Sequence, residues 1–281
     1  MEIKFKTSNT NKSIRKATRM GNEKYFDENV VMYDKYRPTY VASLYRDIIE
    51  YADINENSNI LEIGCGTGNA TLPFIKTGAK VTAVELGENL ADYTKRKFSE
   101  YDNFNIVNAK FEDYNTDEKY DLIFAATAFH WIKPEYAYSR CKELLTPSGV
   151  LATFWNTPRI SRDNAELYFE IQALYAEYLP DSKEESASLT ESKWYISRCN
   201  RLSGYFETYG YTDCLLKLYQ GKRKFNTDDY IGLLHTYSDH MALPEDKRCV
   251  FFDKIHCAIQ KHGQIDLIDT IDLHIGRKYD E

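Results

Sequence analysis

The chain has 281 residues, 43% of them apolar and 28% charged, the make-up of a folded globular protein, which excludes wholesale disorder. A formal net charge of −7, with no basic stripe beyond the first twenty residues, argues against a nucleic acid partner. No run approaches the roughly 18–20 apolar residues of a membrane span, and the N-terminus lacks the apolar stretch of a secretory signal. Six cysteines (Cys65, Cys141, Cys199, Cys214, Cys249 and Cys257) stand without a CxxC pair, which suits reduced thiols, no metal site and a cytoplasmic enzyme.

Residues 1–20 read as a loosely held tail. A first helix is expected near 39–53, where Val41, Leu44, Tyr45, Ile48, Ile49 and Ala52 recur at helical spacing. Strand and helix then alternate: strand 59–63, helix about 69–77, strand 80–85, helix near 87–99 and strand 104–107. A continuous apolar strand over 121–127 follows, of the kind covered on both faces. Pro134 opens the next helix, where its missing N–H costs nothing, and 150–155 is a fifth strand. Such alternation predicts an α/β, doubly wound, mostly parallel sheet. After Trp155 the pattern changes to a helix over about 161–179, a polar stretch at 181–192 expected to be a loop, and a helix over 193–208. Strand 214–225, helices 227–238 and 245–261, and a closing strand 265–275 complete the chain. The helical insertions after the fifth strand are expected to form a lid.

The sharpest motif is Ile60-Leu61-Glu62-Ile63-Gly64-Cys65-Gly66-Thr67-Gly68-Asn69. A glycine turn between a strand and a helix lets backbone approach a ligand closely. Dinucleotides and S-adenosylmethionine both use such turns. The dinucleotide fingerprint G-x-G-x-x-G requires glycine where Asn69 stands, or where Thr71 stands if it starts at Gly66. Glu62, at the strand end, suits a ligand with a cationic amine and opposes a pyrophosphate. Glu85, at the end of the second strand, can accept both hydroxyls of an adenosine ribose, which either ligand carries.

On ILEIGCGTGNAT (60–71), Glu85, FEDY (111–114), YDLIFAATAFHWI (120–132) and LLTPSGVLATFWN (144–156), the chain resembles the class I S-adenosylmethionine-dependent methyltransferases. Within them it is similar to the small-molecule branch of trans-aconitate and type 11 enzymes. The resemblance is specific over 55–156 and weaker through YDKYRP (33–38) and YSDHMALPE (237–245). It implies a seven-stranded Rossmann-like sheet with one antiparallel strand near the C-terminus. The implied plan is a tail and lead-in over 1–32, then a methyltransferase domain over 33–281. Within that domain the core spans 55–156, lid insertions span about 157–209 and 226–262, and closing strands span about 214–225 and 265–277.

The same resemblance implies roles for individual residues. Gly64, Gly66 and Gly68, with Glu62 and Cys65, would pass under the methionine and adenosine portions of the cofactor. Glu85, with Leu86, would hold the ribose. Lys110, Phe111 and Glu112 would border the adenine, although many relatives carry Asp where Lys110 stands. Ala126 to Trp131 would line the mouth of the methyl donor, and Tyr36 and Arg37 would close over its methionine end.

Methyl transfer is an in-line displacement in which positioning and desolvation carry most of the rate. A general base is needed only when the nucleophile arrives protonated. His130 therefore has two readings, a catalytic base or part of the pocket wall. Trp131, Trp155, Arg159 and Tyr237 complete the candidate substrate pocket, with Tyr195, His235 and Ser238 as further lid contacts. The expected activity is methyl transfer from S-adenosylmethionine to a small carboxylate- or heteroatom-bearing metabolite, releasing S-adenosylhomocysteine. An NAD-dependent oxidoreductase and a non-catalytic S-adenosylmethionine sensor are the alternatives.

Overall fold

The computed structural model describes residues 30–180 and 193–279. The expected tail at 1–20 and the polar stretch at 181–192 lie outside the described residues.

Seven strands form one sheet in the order β3-β2-β1-β4-β5-β7-β6. The strands are β1 (Asn59–Ile63), β2 (Lys80–Glu85), β3 (Phe104–Asn108), β4 (Tyr120–Ala126), β5 (Leu145–Ile160), β6 (Tyr211–Phe225) and β7 (Ile265–Lys278). Pairings among β1 to β5 are parallel, and β7 runs antiparallel to both β5 and β6. The expected single antiparallel strand near the C-terminus is β7.

Period-two alternation divides the core between the sheet's faces. Ile60, Val81, Leu122, Phe124, Ala152 and Phe154 pack on one face with Leu44, Tyr45 and Ile48. These last three belong to α2 (Ala42–Tyr51) and sit at helical spacing. Each such aliphatic side chain contributes about 1.5–3 kcal/mol on burial. Leu61, Ile123, Ala125, Leu151 and Trp155 pack on the other face against α5 (Pro134–Leu144).

Between β1 and β2, α3 covers only Leu72–Ile75, not the expected 69–77. Residues before it close tighter bonds, from Gly68 N–H to the Cys65 carbonyl and from Thr71 N–H to the Gly68 carbonyl. Pro73, in the first turn, has no N–H to extend the ladder. After β2 comes α4 (Glu88–Lys97).

The C-terminal half departs further from the sequence reading. Strand β5 runs on to Ile160, so 157–160, expected in the lid, remain strand paired with β7. Helix α7 (Lys193–Thr208), also expected in the lid, packs against the sheet: Phe206 joins the core beside Leu151 and Trp155. Its buried Tyr195, Cys199 and Phe206 recur at helical intervals, which sequence periodicity cannot distinguish from a lid helix.

The remaining helices are α6 (Ala165–Tyr178), α8 (Thr227–Leu234), α9 (Ser238–Met241) and α10 (Glu245–His262). Three of them, α6, α8 and α10, bury Ile171, Leu233, Phe251 and Ile255 in a separate apolar cluster that also takes Ile265 and Leu267 from β7. Asn164 and Asn226 cap α6 and α8 by accepting from Leu167 and Asp229 N–H. No described helix is long and apolar enough to cross a membrane.

Candidate active site

The turn after β1 stands at the carboxyl ends of the parallel strands, where open α/β sheets bind ligands. Gly64, Gly66 and Gly68 all have positive φ (69°, 56° and 77°), a region that L side chains rarely adopt. A Cβ at Gly64 would stand 2.6 Å from the Ala128 Cβ, and one at Gly68 would collide with the Phe98 ring. The protein's own packing therefore demands those two glycines. Gly66 faces only the edge of Tyr33, 3.5 Å away.

Two carboxylates brace this turn. Glu62 is fully buried, and its Oε2 accepts from Thr71 Oγ1 at 2.6 Å. Its Oε1 has no partner among the described residues. Burial pushes the Glu62 carboxyl up to about 8, the Thr71 hydrogen bond opposing and the nearby Glu85 charge adding to the rise. Glu85 accepts from Gly66 N–H at 2.8 Å and Gly87 N–H at 2.9 Å, tying the end of β2 to the turn.

Helix α1 (Val30–Tyr36) lies over the turn. Asp34 accepts from the Tyr93 phenol at 2.8 Å and from Lys97 at 2.6 Å, and Lys97 also donates to the Thr67 carbonyl at 2.9 Å. Just beyond α1, the Arg37 guanidinium stands 5.0 Å from the Tyr33 ring centre and 4.7 Å from that of Tyr237. It also donates to the Thr236 carbonyl, linking the N-terminal segment to the helices after β6.

Under this cover is a cavity of about 80 Å³, lined by the turn, Tyr40, Ala126, Thr127, Asn156, Pro158 and Tyr237. Thr127, β-branched, has φ +56°, a strained conformation of the kind that collects at functional sites. Its Oγ1 lies 2.8 Å from the Tyr40 phenol oxygen and accepts from Asn156 N–H at 3.3 Å. Asn156 Nδ2 donates to Asp269 at 2.8 Å, and Arg223 donates to both oxygens of the same carboxylate.

Residues 60–149, β1 to the start of β5, match the family described as a methyltransferase domain. An uncharacterized methyltransferase of Schizosaccharomyces pombe is 25% identical over 237 residues, covering 84% of this chain and 86% of that protein. A malonyl-[acyl-carrier protein] O-methyltransferase of Ilyobacter polytropus is 26% identical over 203 residues, covering 64% and 72%. A solved structure from Anaeromyxobacter dehalogenans, named as a type II methyltransferase, aligns with TM-score 0.62 and 20% identity over 88% of this chain and all of that one. The chain carries a methyltransferase domain on the fold of the class I S-adenosylmethionine-dependent methyltransferases.

Within this methyltransferase, the sequence-predicted residues divide into three groups. Gly64, Cys65, Gly66, Arg37, Ala126 and Tyr237 line the cavity. Glu85 and Leu86 end β2 beside the segment after β3: Asn108 Nδ2 donates to both of their carbonyls. Lys110, Phe111 and Glu112 follow there, Lys110 and Glu112 exposed and Phe111 buried.

The third group lies away from the cavity. Tyr36 packs its ring onto Gly232 of α8. His130 and Trp131 are the exposed residues of a helical turn, Phe129–Trp131, after β4. His130 Nδ1 accepts from the Trp155 indole N–H at 3.1 Å. That bond occupies the lone pair a base would need and leaves Nε2 to carry the proton of the neutral ring. Trp155 and Arg159 alternate with the cavity-lining Asn156 and Pro158 along β5, so they face the opposite side of the sheet.

Sequence reasoning placed Thr127 within the 126–131 stretch at the mouth of the methyl donor, and passed over Tyr40 and Asn156 as site residues. Thr127 and Asn156 follow apolar strand runs at their carboxyl ends, a position that itself signals a ligand crevice in this fold class. Asp269, inside an apolar strand pattern, carried no local signal.

Proposed function

We propose that this methyltransferase binds S-adenosylmethionine at the glycine turn and methylates a small molecule held under α1 and a lid of α6, α8, α9 and α10. The cofactor supplies an electrophilic methyl group on a sulfonium. The observation that carries the reading is Glu62, a fully buried carboxyl beneath the turn with one oxygen unpartnered among the described residues. A cationic amine placed beside it would satisfy that oxygen and favour its ionised form. Asn69 Nδ2, also buried without a partner among the described residues and on a residue lining the cavity, offers a hydrogen to a carboxylate.

Glu85 would hold the ribose hydroxyls with its carboxylate oxygens, and Leu86, Lys110, Phe111 and Glu112 would flank the adenine. Since about 80 Å³ is far below the roughly 300 Å³ of an ordinary small-ligand pocket, α1 and the Arg37 link must open for the cofactor to enter. Once they close, the aromatic cover excludes water, which strengthens every polar contact inside. The acceptor is a small metabolite bearing a carboxylate or another heteroatom. All six cysteines are free thiols, which supports a reducing, cytoplasmic setting. Titration calorimetry with S-adenosylhomocysteine tests the reading: saturable binding supports it, and binding of NADH with no response to S-adenosylhomocysteine overturns it.

A further inference from the structure

The cavity's polar inventory restricts the nucleophile. Asn156 has one fixed orientation, because the Asp269 carboxylate can only accept and the amide must therefore turn its NH2 group toward it. Arg223 holds that carboxylate from the other side through both oxygens. The remaining amide atom, Asn156 Oδ1, is buried without a hydrogen-bond partner among the described residues. An amide oxygen can only accept, and a buried acceptor without a donor costs about 1–3 kcal/mol. A substrate that brings an N–H or O–H to this oxygen recovers that cost, whereas a carboxylate would set oxygen against oxygen.

Among the described residues lining the cavity there is no His, Lys, Asp or Glu. Burial raises the Cys65 thiol and the Tyr40 and Tyr237 phenols above their ordinary values, which holds those three protonated. An alcohol would need a base there, and none is present among them. A neutral amine needs none.

Resting on the methyltransferase reading above, we infer that the methyl acceptor is a neutral nitrogen bearing at least one N–H, held by Asn156 Oδ1. The hydrogen bond to Oδ1 leaves the nitrogen lone pair free. That pair forms the new N–C bond, the C–S bond breaks with its electrons passing to sulfur, and the resulting ammonium loses its extra proton to water.

Phenethylamine, phenylacetate and 2-phenylethanol form a matched amine, acid and alcohol set for an aromatic-walled cavity. The protein is incubated at about pH 9, where an appreciable fraction of the alkylamine is neutral, with each compound and with S-adenosylmethionine carrying a 13C-methyl label, and the methyl position is read by NMR. In parallel, calorimetry measures phenethylamine binding to the S-adenosylhomocysteine complex of the wild type and of Asn156→Leu. The inference expects label on nitrogen alone and at least tenfold weaker phenethylamine binding by Asn156→Leu than by the wild type, each saturated with S-adenosylhomocysteine. Label on oxygen, no labelled product from any acceptor, or equal amine binding by the variant overturns it. Loss of S-adenosylhomocysteine binding by the wild type instead overturns the methyltransferase reading beneath it.

Discussion

Thr71 Oγ1 donates to Glu62 Oε2 at 2.6 Å beneath the glycine turn, the one hydrogen bond among the described residues to a carboxyl that is wholly removed from solvent. One bond does not offset the loss of hydration, so the acid form persists up to about pH 8.

The first prediction follows from that burial. Between about pH 4.5 and 8 the folded state keeps a proton on Glu62 that the unfolded state has released, so ligand-free stability falls as pH rises through this window. The loss from this group is at most about 5 kcal/mol. Glu62→Gln removes the titration, and its denaturation midpoint is expected to vary less between pH 5 and 8 than that of the wild type. Parallel pH profiles for the two proteins would refute the assignment.

Cofactor affinity responds in the opposite direction. A cationic amine beside Glu62 favours the ionised carboxylate, so binding releases a proton below pH 8 and tightens as pH rises from 6 to 8. Calorimetry of S-adenosylhomocysteine in buffers of different ionisation enthalpy reads the proton directly. Binding heats independent of buffer would show that Glu62 does not meet the ligand.

Glu85→Ala removes the proposed ribose acceptors and the bonds that tie Gly66 and Gly87 to β2. Charged hydrogen bonds of this kind contribute about 1–3 kcal/mol, so the dissociation constant for S-adenosylhomocysteine is expected to rise on the order of 5- to 150-fold. An unchanged constant would place the ribose elsewhere.

Arg37→Met keeps the aliphatic stem but removes the guanidinium from between Tyr33 and Tyr237 and from the Thr236 carbonyl. With each cation–π contact worth about 0.5–1 kcal/mol, S-adenosylhomocysteine is expected to dissociate about 5- to 30-fold faster in stopped-flow fluorescence. A dissociation rate equal to the wild type would mean that this link does not hold the cover closed.

His130→Ala is expected to cost about 1 kcal/mol of stability through the lost Trp155 bond, while kcat/KM changes less than twofold. A general base would lose about 100-fold or more on removal. A fall of that size would restore His130 to the chemistry.

The parallel half of the fold was legible in the chain because its determinants are local. Asn59–Ile63 and Lys80–Glu85 are apolar runs bounded by turn residues, and they form β1 and β2 with the expected limits. The glycine turn was legible for the same reason. What the residues alone suggested about it was a clearance for ligand; the structure adds that Gly64 and Gly68 clear Ala128 and Phe98. Helix α7 was misplaced because an apolar stripe shows that a helix is buried, not what buries it.

Sequence by itself determined the alternating α/β core, the turn with its two carboxylates and the family, since each depends on neighbours within a few tens of residues. Only the tertiary structure decided which side chains meet beneath α1. Asn156 and Asp269 are 113 positions apart and come together through the antiparallel register of β5 on β7. His130 drops from the cavity because Trp155 lies on the other face of the sheet. Such pairings are set by strand register and chain closure over long separations, and no periodicity along the chain encodes them.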